Sequence, residues 1–243
     1  MANPQAALDR AFEAKNLVLV YQPIHDAVSG NIIAAEALLR QRRESGEIRE
    51  AGIITAAAED GPELFRLDSW VVRNACRDAA RWNDVRLNVN LSPREFEEGN
   101  VLERLPSIPN PGNVNLEITE TSYIDSPEET MRVLEAVREL GIRLWLDDFG
   151  TGHSSLEHLQ LFPLDGLKIP AQFIKACITD QRCRIIVKAI LGMARELGLQ
   201  VIAEGVEHQD QLEFLREHHC DAIQGFLFSK PMELDDLLER LRF

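Results

Sequence analysis

Short apolar runs, each closing on a polar residue, alternate with longer amphipathic stretches from Leu17 to Gln224. This is the pattern of successive βα units, and it restricts the fold more than any composition figure does. Strands are expected at Leu17–Gln22, Ile32–Leu39, Val85–Leu91, Val114–Thr119, Ile142–Asp147, Asp165–Ile169, Leu199–Glu204 and Asp221–Gln224. Eight strands in this order close into a (βα)8 barrel, and 243 residues is the length that one such barrel needs. A single α/β domain over residues 1–243 is expected.

The helical stretches carry their own punctuation. In the segment from Ser126 to Leu140, Ser126 is placed to cap, Pro127 suits the first turn, Glu128 and Glu129 complement the positive helix end, and Gly141 terminates it. From Asp180 to Leu197 the apolar residues Ile185, Ile186, Ala189, Ile190, Met193 and Leu197 recur at helical spacing before Gly198. One connection breaks the scheme. Only Pro23 to Gly30 separate the first two strands, too short for a parallel crossover, so the first strand is expected to run antiparallel to the second in a modified TIM barrel. A faint internal echo, Arg138-Glu139-Leu140-Gly141 against Arg195-Glu196-Leu197-Gly198, places Asp147 and Glu204 at equivalent strand ends.

Set against 26 Lys and Arg, 40 Asp and Glu leave a net charge of -14, which argues against DNA, RNA or anionic membrane as a partner. No apolar run has the length of a membrane span, and Met1 to Leu8 lack the layout of a secretory signal, so a cytoplasmic location is expected. Cys76, Cys177, Cys183 and Cys220 form no CxxC pair and are expected to be reduced, mostly buried thiols.

The polar residues at the strand ends are Glu36, Asn90, Glu117, Asp147 with Asp148, Lys168, Glu204 and Gln224. In a barrel those ends meet on one face, where active sites lie. Several acids around an amide oxygen suit hard cations such as Mg²⁺ or Mn²⁺. The tandem Asp147-Asp148 suits two ions shared at a phosphoryl centre, and Lys168 adds a positive donor. Taken singly, each residue has a plainer explanation. Glu36 alone reads as a cap or a surface ion pair; Asp147 to Gly152 alone reads as a glycine turn. Asn90 with Ser92 and Pro93 alone reads as a helix-capping turn. Convergence of the whole set is what these readings leave unexplained. His218, His219 and Cys220 read as structural or solvated residues, as do His153 and His158, whose spacing does not put two ligands on one helix face. Of Arg40, Arg42 and Arg43, the last two are expected in a solvated loop.

Tyr21-Gln22-Pro23-Ile24, Glu36-Ala37-Leu38-Leu39-Arg40, Asn90-Leu91-Ser92, Glu117-Ile118-Thr119-Glu120, Asp147 to Gly152, Lys168-Ile169, Ala203-Glu204-Gly205-Val206-Glu207 and Gln224-Gly225-Phe226 together resemble the EAL-domain family, in order and over practically the whole chain. The resemblance implies hydrolysis of cyclic di-GMP to linear pGpG by a metal-activated water, with two Mg²⁺ or Mn²⁺ ions. It implies that Glu36, Asn90, Glu117 and Asp147 ligate the first metal, with Asp147 shared and Asp148 serving the second. By the same resemblance Lys168 orients the attacking water and Glu204 is a second-metal ligand or base-like partner. Gln22, Leu38 and Arg40 match the substrate-contacting set, Gln224 the rim of the site, and Glu120 the acid that steadies the loop after Glu117. A homodimer and sensory modules in a longer parent chain are expected on the same ground.

Three positions depart from the family pattern. Pro170 stands where an aspartate usually follows Lys-Ile, and it neither ligates nor accepts a proton. Gln41 replaces a tryptophan and His153 a tyrosine, neither at a ligand position. Pro170 motivates a second reading, a non-catalytic cyclic di-GMP receptor. A third, an enolase-type barrel that abstracts a proton, also uses strand-end acids and Lys but leaves Asp148, Gln22 and Arg40 without a role.

Overall fold

The structure, a computed structural model, describes residues 9, 12, 16–52, 63–82, 84–92, 108–119, 127–151 and 155–242. Among them nine strands form one sheet: β1 (Leu17–Asp26), β2 (Ile32–Arg42), β3 (Ile48–Glu50), β4 (Arg86–Asn90), β5 (Val114–Thr119), β6 (Arg143–Asp147), β7 (Gly166–Ile169), β8 (Gln200–Glu204) and β9 (Ala222–Gln224). The order is β1-β9-β8-β7-β6-β5-β4-β2-β3, and pairing of β1 with β2 closes the barrel. The run from β2 through β4 to β9 is parallel, whereas β1 is antiparallel to both β2 and β9. The expected reversal of the first strand is present. It is sharper than expected, because β1 continues through Pro23 to Asp26 and leaves only residues 27–31 as the connection.

Two features of this corner differ from the sequence reading. The short strand β3 pairs antiparallel with the end of β2, Arg40 opposite Glu50 and Arg42 opposite Ile48. Arg42 therefore lies in a strand rather than a solvated loop, and its guanidinium meets Glu233 at 2.6 Å. A three-residue strand with two exposed members offers no apolar alternation to read.

Seven helices lie among the described residues: α1 (Glu63–Ala79), α2 (Pro127–Glu139), α3 (Ser155–Leu161), α4 (Ala171–Ala176), α5 (Gln181–Glu196), α6 (Gln209–Glu217) and α7 (Leu234–Arg240). Helix α2 ends as expected at Gly141, φ +85°, a conformation glycine adopts without strain. Helix α5 starts at Asp180, whose carboxylate accepts the Arg182 amide at 2.7 Å. The cap expected at Ser126 and the helix expected to begin at Pro93 lie outside the described residues. None of these helices is long and apolar enough to cross a membrane.

Side chains on a strand alternate between faces, and here the alternation separates two interiors. Outward-facing Leu87, Val89, Leu116, Ile118, Leu144, Leu146, Leu167 and Ile169 are buried against the helices, where Leu134 and Val137 of α2 and Val187, Leu191 and Ala194 of α5 join one core. Each such aliphatic side chain contributes about 1.5–3 kcal/mol by leaving water. The other parity faces the barrel axis and is mostly polar: Arg86, Asn88 and Asn90 on β4, Asn115 and Glu117 on β5, Arg143 and Asp147 on β6. A small apolar plug of Ile24, Ala34, Trp145, Ile202 and Ala222 fills part of that inner space. All four cysteines are free, and Cys76, Cys177 and Cys220 are buried.

Candidate active site

Every strand-end residue singled out in the sequence, from β2 to β9, faces the same end of the barrel. At its centre is Lys168 of β7, only 1% exposed, with its Nζ at 2.6 Å from Glu204 Oε1, 3.1 Å from Glu117 Oε2, 3.2 Å from Glu36 Oε2 and 3.4 Å from Asp147 Oδ1. Four strands thus each place one carboxylate on a single ammonium group. Glu36 lies in the middle of β2 rather than at its end, because β2 runs on past the barrel rim to pair with β3.

Amides complete the ring. Asn90 Nδ2 donates to Glu36 Oε1 at 2.9 Å, and Gln224 Nε2 donates to Glu36 Oε2 at 2.7 Å and to Gln22 Oε1 at 3.2 Å. Gln22 in turn donates to the Ser229 carbonyl at 3.3 Å. Turning the Asn90 amide over would present its oxygen beside the Glu36 carboxylate, the donor a hard cation takes.

Consecutive strand residues ordinarily face opposite ways, yet Asp147 and Asp148 both reach the cleft. The reason is local: Asp148 has φ +54°, a left-handed conformation that ends β6, and its amide N–H is taken by Asp147 Oδ1 at 2.9 Å. Carboxylate oxygens of Asp147, Asp148 and Glu204 consequently lie within 4.8 Å of one another, an all-oxygen group suited to a divalent metal. The cleft above them encloses about 400 Å³ and is also lined by Gln22, Leu38, Arg40 and Gln224. Two glycines hold its walls: a Cβ on Gly205 (φ +65°) would come within 2.5 Å of the Ala171 side chain, and one on Gly225 within 2.1 Å of the Val206 carbonyl oxygen. Glycine after Glu204 and after Gln224 therefore lets neighbouring loops close against the site.

The electrostatics explain why this arrangement needs a counter-charge. Burial opposes the Lys168 charge, but Glu117, then Glu36, Asp147 and Glu204, outweigh it and hold its pKa well above the ordinary value. Burial, followed by the neighbouring Glu36 charge, pushes Glu117 well up. For Glu36 burial acts in the same sense, yet Lys168 and the amides of Gln224 and Asn90 bring its pKa below the usual value. Burial raises Glu204 to about 7 against the pull of Lys168. One ammonium cannot neutralise four carboxylates, and the excess negative charge in a poorly solvated mouth is a cation site by its chemistry.

Below this ring the barrel holds a polar chain that strand-end reasoning missed. Asn88 Nδ2 donates to Glu117 Oε1 at 2.6 Å, Asn115 Nδ2 to Asn88 Oδ1 at 2.8 Å, and Arg86 Nη1 to Asn115 Oδ1 at 3.4 Å. Both asparagines are buried. The signal lay in the alternation Arg86-Leu87-Asn88-Val89-Asn90, where polar residues recur every second position on the inner face.

The remaining candidates fall elsewhere. Pro170 is buried at the start of α4, where its carbonyl accepts the Phe173 amide at 3.0 Å. His219 and Cys220 border a different cavity, at the other end of the barrel, and Cys220 is itself buried. Glu120 and His153 lie outside the described residues.

A family model described as the EAL domain matches residues 5–231. The signaling protein YkoW of Bacillus subtilis is 36% identical over 239 residues, 95% of this chain and 30% of the relative. The cyclic di-GMP phosphodiesterase NbdA of Pseudomonas aeruginosa is 38% identical over 245 residues, 97% and 31% of the two chains. The chain thus spans less than a third of these curated relatives. Among solved structures, the PaMucR phosphodiesterase in complex with c-di-GMP superposes with a TM-score of 0.90 at 33% identity, covering 97% of this chain and 100% of that one. The EAL domain of Mycobacterium smegmatis DcpA gives 0.79 at 32% identity, covering 94% and 96%.

Proposed function

Since the chain belongs to the EAL domain family, we propose that it is a metal-dependent phosphodiesterase that hydrolyses cyclic di-GMP to linear 5′-pGpG. The observation that carries this reading is the ring of Glu36, Glu117, Asp147 and Glu204 around Lys168, beneath a cleft lined by Gln22, Leu38, Arg40 and Asp148. The relatives at comparable identity that are named as cyclic di-GMP phosphodiesterases support the same substrate.

The residues fit divalent cations, and two ions per site is the count that the tandem aspartates favour. Glu36, Asn90, Glu117 and Asp147 would hold the first; Asp147, Asp148 and Glu204 would hold the second. Bound there, Mg²⁺ or Mn²⁺ would lower the pKa of water and neutralise charge on the phosphate oxygens. The chain's own groups do the rest. Arg40 offers a planar guanidinium to a phosphate, and Leu38 and Gln22 give the nucleotide an apolar contact and an amide. Lys168 Nζ, held among the carboxylates, orients the attacking water toward phosphorus, and the P–O3′ bond breaks as that oxygen takes a proton. Glu204 reads as a ligand or as the partner that accepts the proton of that water. Glu120 reads as the acid that steadies the loop after β5.

Residues 1–243 are read as one EAL domain, as the closed barrel and the match over residues 5–231 support. The length of the relatives supports a parent chain with sensory modules, and exposed Ile185 and Ile186 on α5 support a homodimer. The free thiols suit a reducing, cytoplasmic setting.

Pro170 favours one competing reading, a receptor that binds cyclic di-GMP without cutting it. Incubation of the pure protein with cyclic di-GMP and Mn²⁺, followed by chromatography, separates the two. Conversion to pGpG that stops with EDTA is expected; tight binding with no pGpG would replace the enzyme by the receptor.

A further inference from the structure

The opposite mouth of the barrel holds a second cavity, of about 530 Å³, formed by the first residues of the parallel strands. Its volume is that of a small-molecule site. Arg86 of β4 and Arg143 of β6 lie on one side of it, close enough that, after burial, the Arg143 charge is what most depresses the Arg86 pKa. Neither has a carboxylate partner among the described residues: Arg86 donates to the Gly112 carbonyl at 2.8 Å and to Asn115, and Arg143 to Gln200 Oε1 at 3.2 Å. Asp165, whose charge acts on Arg86, is already engaged by Arg138 at 3.3 Å and by the Leu144 amide at 2.9 Å. On the far rim Asp26 accepts the Ser29 amide and hydroxyl, and Asp221 accepts the Val201 amide. Asp84 and Arg216 complete the charged lining, Arg216 donating to the Ala27 and Val28 carbonyls, and no carboxylate of the cavity pairs with Arg86 or Arg143 among the described residues.

Trp145 lines the same cavity and is only 4% exposed; its indole Nε1 is shielded from solvent, so it offers an occupant its ring rather than its N–H. Ile24 and Ile202 provide an apolar floor beside the indole.

We propose that this cavity binds a small molecule bearing an oxyanion, a carboxylate or a phosphate, which is held by Arg86 and Arg143, with its apolar body on Trp145, Ile24 and Ile202. The site is separate from the acidic mouth and does not depend on its metal.

The test uses the full chain treated with EDTA, so that nothing at the acidic mouth holds an anion through a cation. Calorimetric titrations with inorganic phosphate and with benzoate, against sodium chloride at matched ionic strength, name the favoured oxyanion. Saturable binding of at least one is expected. It should weaken by about tenfold or more in Arg143→Gln, the scale of one lost charge-assisted contact. Asp147→Asn, at the other mouth, should leave it unchanged. Because Arg143 makes only one side-chain hydrogen bond among the described residues, Arg143→Gln should keep the wild-type melting temperature, which is measured alongside. The proposal is overturned if neither probe saturates the wild type, if folded Arg143→Gln binds as tightly as wild type, or if Asp147→Asn abolishes binding.

Discussion

The two mouths of this barrel are built from the same strands and differ in charge. On β4 the inner face reads Arg86, Asn88, Asn90; on β6 it reads Arg143, Trp145, Asp147; on β8, Gln200, Ile202, Glu204. Each begins on a cation or an amide and ends on an oxygen-bearing side chain at the acidic mouth, about 13 Å further along at ~3.3 Å per residue. One end gathers four carboxylates on a buried lysine, the other a pair of arginines with no carboxylate partner among the described residues. The asymmetry shows how a closed barrel keeps two chemistries apart with one alternation: outward positions supply the apolar core, and the inner positions are free to vary with depth. Asn88 and Asn115 join the two ends without placing a charge between them.

This comparison can be broken most forcefully at the acidic end. Asp147→Asn removes the carboxylate shared by Lys168 and the Asp148–Glu204 group, and turnover should fall by about a thousandfold, the scale of one lost electrostatic contact at a reacting centre. The rise in melting temperature that Mn²⁺ gives the wild type should vanish in the same variant, read by thermal unfolding with and without the metal. A wild-type melting curve that Mn²⁺ leaves unmoved would count against an occupied site.

Asn88→Ala tests the chain between the mouths. It leaves Glu117 Oε1 without its 2.6 Å donor, and metal affinity in a Mn²⁺ titration should drop by about ten- to a hundredfold, as for other partners that orient a ligand. Unchanged affinity would make Asn88 a packing residue only.

Protons sharpen the same contrast. The folded Glu204 carboxyl, at about 7 against an ordinary 4.5, keeps its proton where the unfolded chain has lost it. Its contribution therefore lowers the stability of the metal-free protein as pH rises from about 5 to about 8, and Glu117, displaced in the same direction, adds to it. Glu36, displaced downward, acts only at more acid pH. Melting temperatures in EDTA should decline by a few degrees across that range, and Mn²⁺, which favours the ionised carboxylates, should flatten the decline. A slope that is identical with and without metal would contradict the assignment.

The smallest effect is expected from Pro170→Asp. It adds a carboxylate next to Ile169, and the Mn²⁺ needed for half-maximal turnover should fall by a few-fold if the second ion is the weaker. A higher requirement would mean that Pro170 is held for the start of α4.

Much of this architecture was legible in the residues because it follows from short-range rules. The brief link after β1 dictated its reversal, and Gly141 and Gly198, each six residues before an acid, marked equivalent strand ends. Gln22, Leu38 and Arg40, widely separated from the strand-end Gln224 and matched only through the family resemblance, line one cleft with it. What escaped the reading was depth. Attention to the last residue of each strand overlooked Asn88 and Asn115, two and four residues further in, and treated Lys168 as a donor at the edge when it is the buried hub of four ion pairs. Which partners a lysine meets depends on strand register, and register is set by pairing across the whole barrel rather than by neighbours in sequence. The bottom cavity was invisible for the same reason, since Arg86 and Arg143 are distant in sequence and meet only when β4, β5 and β6 align.

Hydrolysis of cyclic di-GMP with Mn²⁺ in ¹⁸O-water, followed by mass spectrometry of the product, reports where water attacks. Attack of water on phosphorus at the acidic mouth predicts linear pGpG with one ¹⁸O in its 5′-phosphate, formed only with metal present. Unlabelled product, label on the ribose hydroxyl, or intact cyclic di-GMP after prolonged incubation would contradict it.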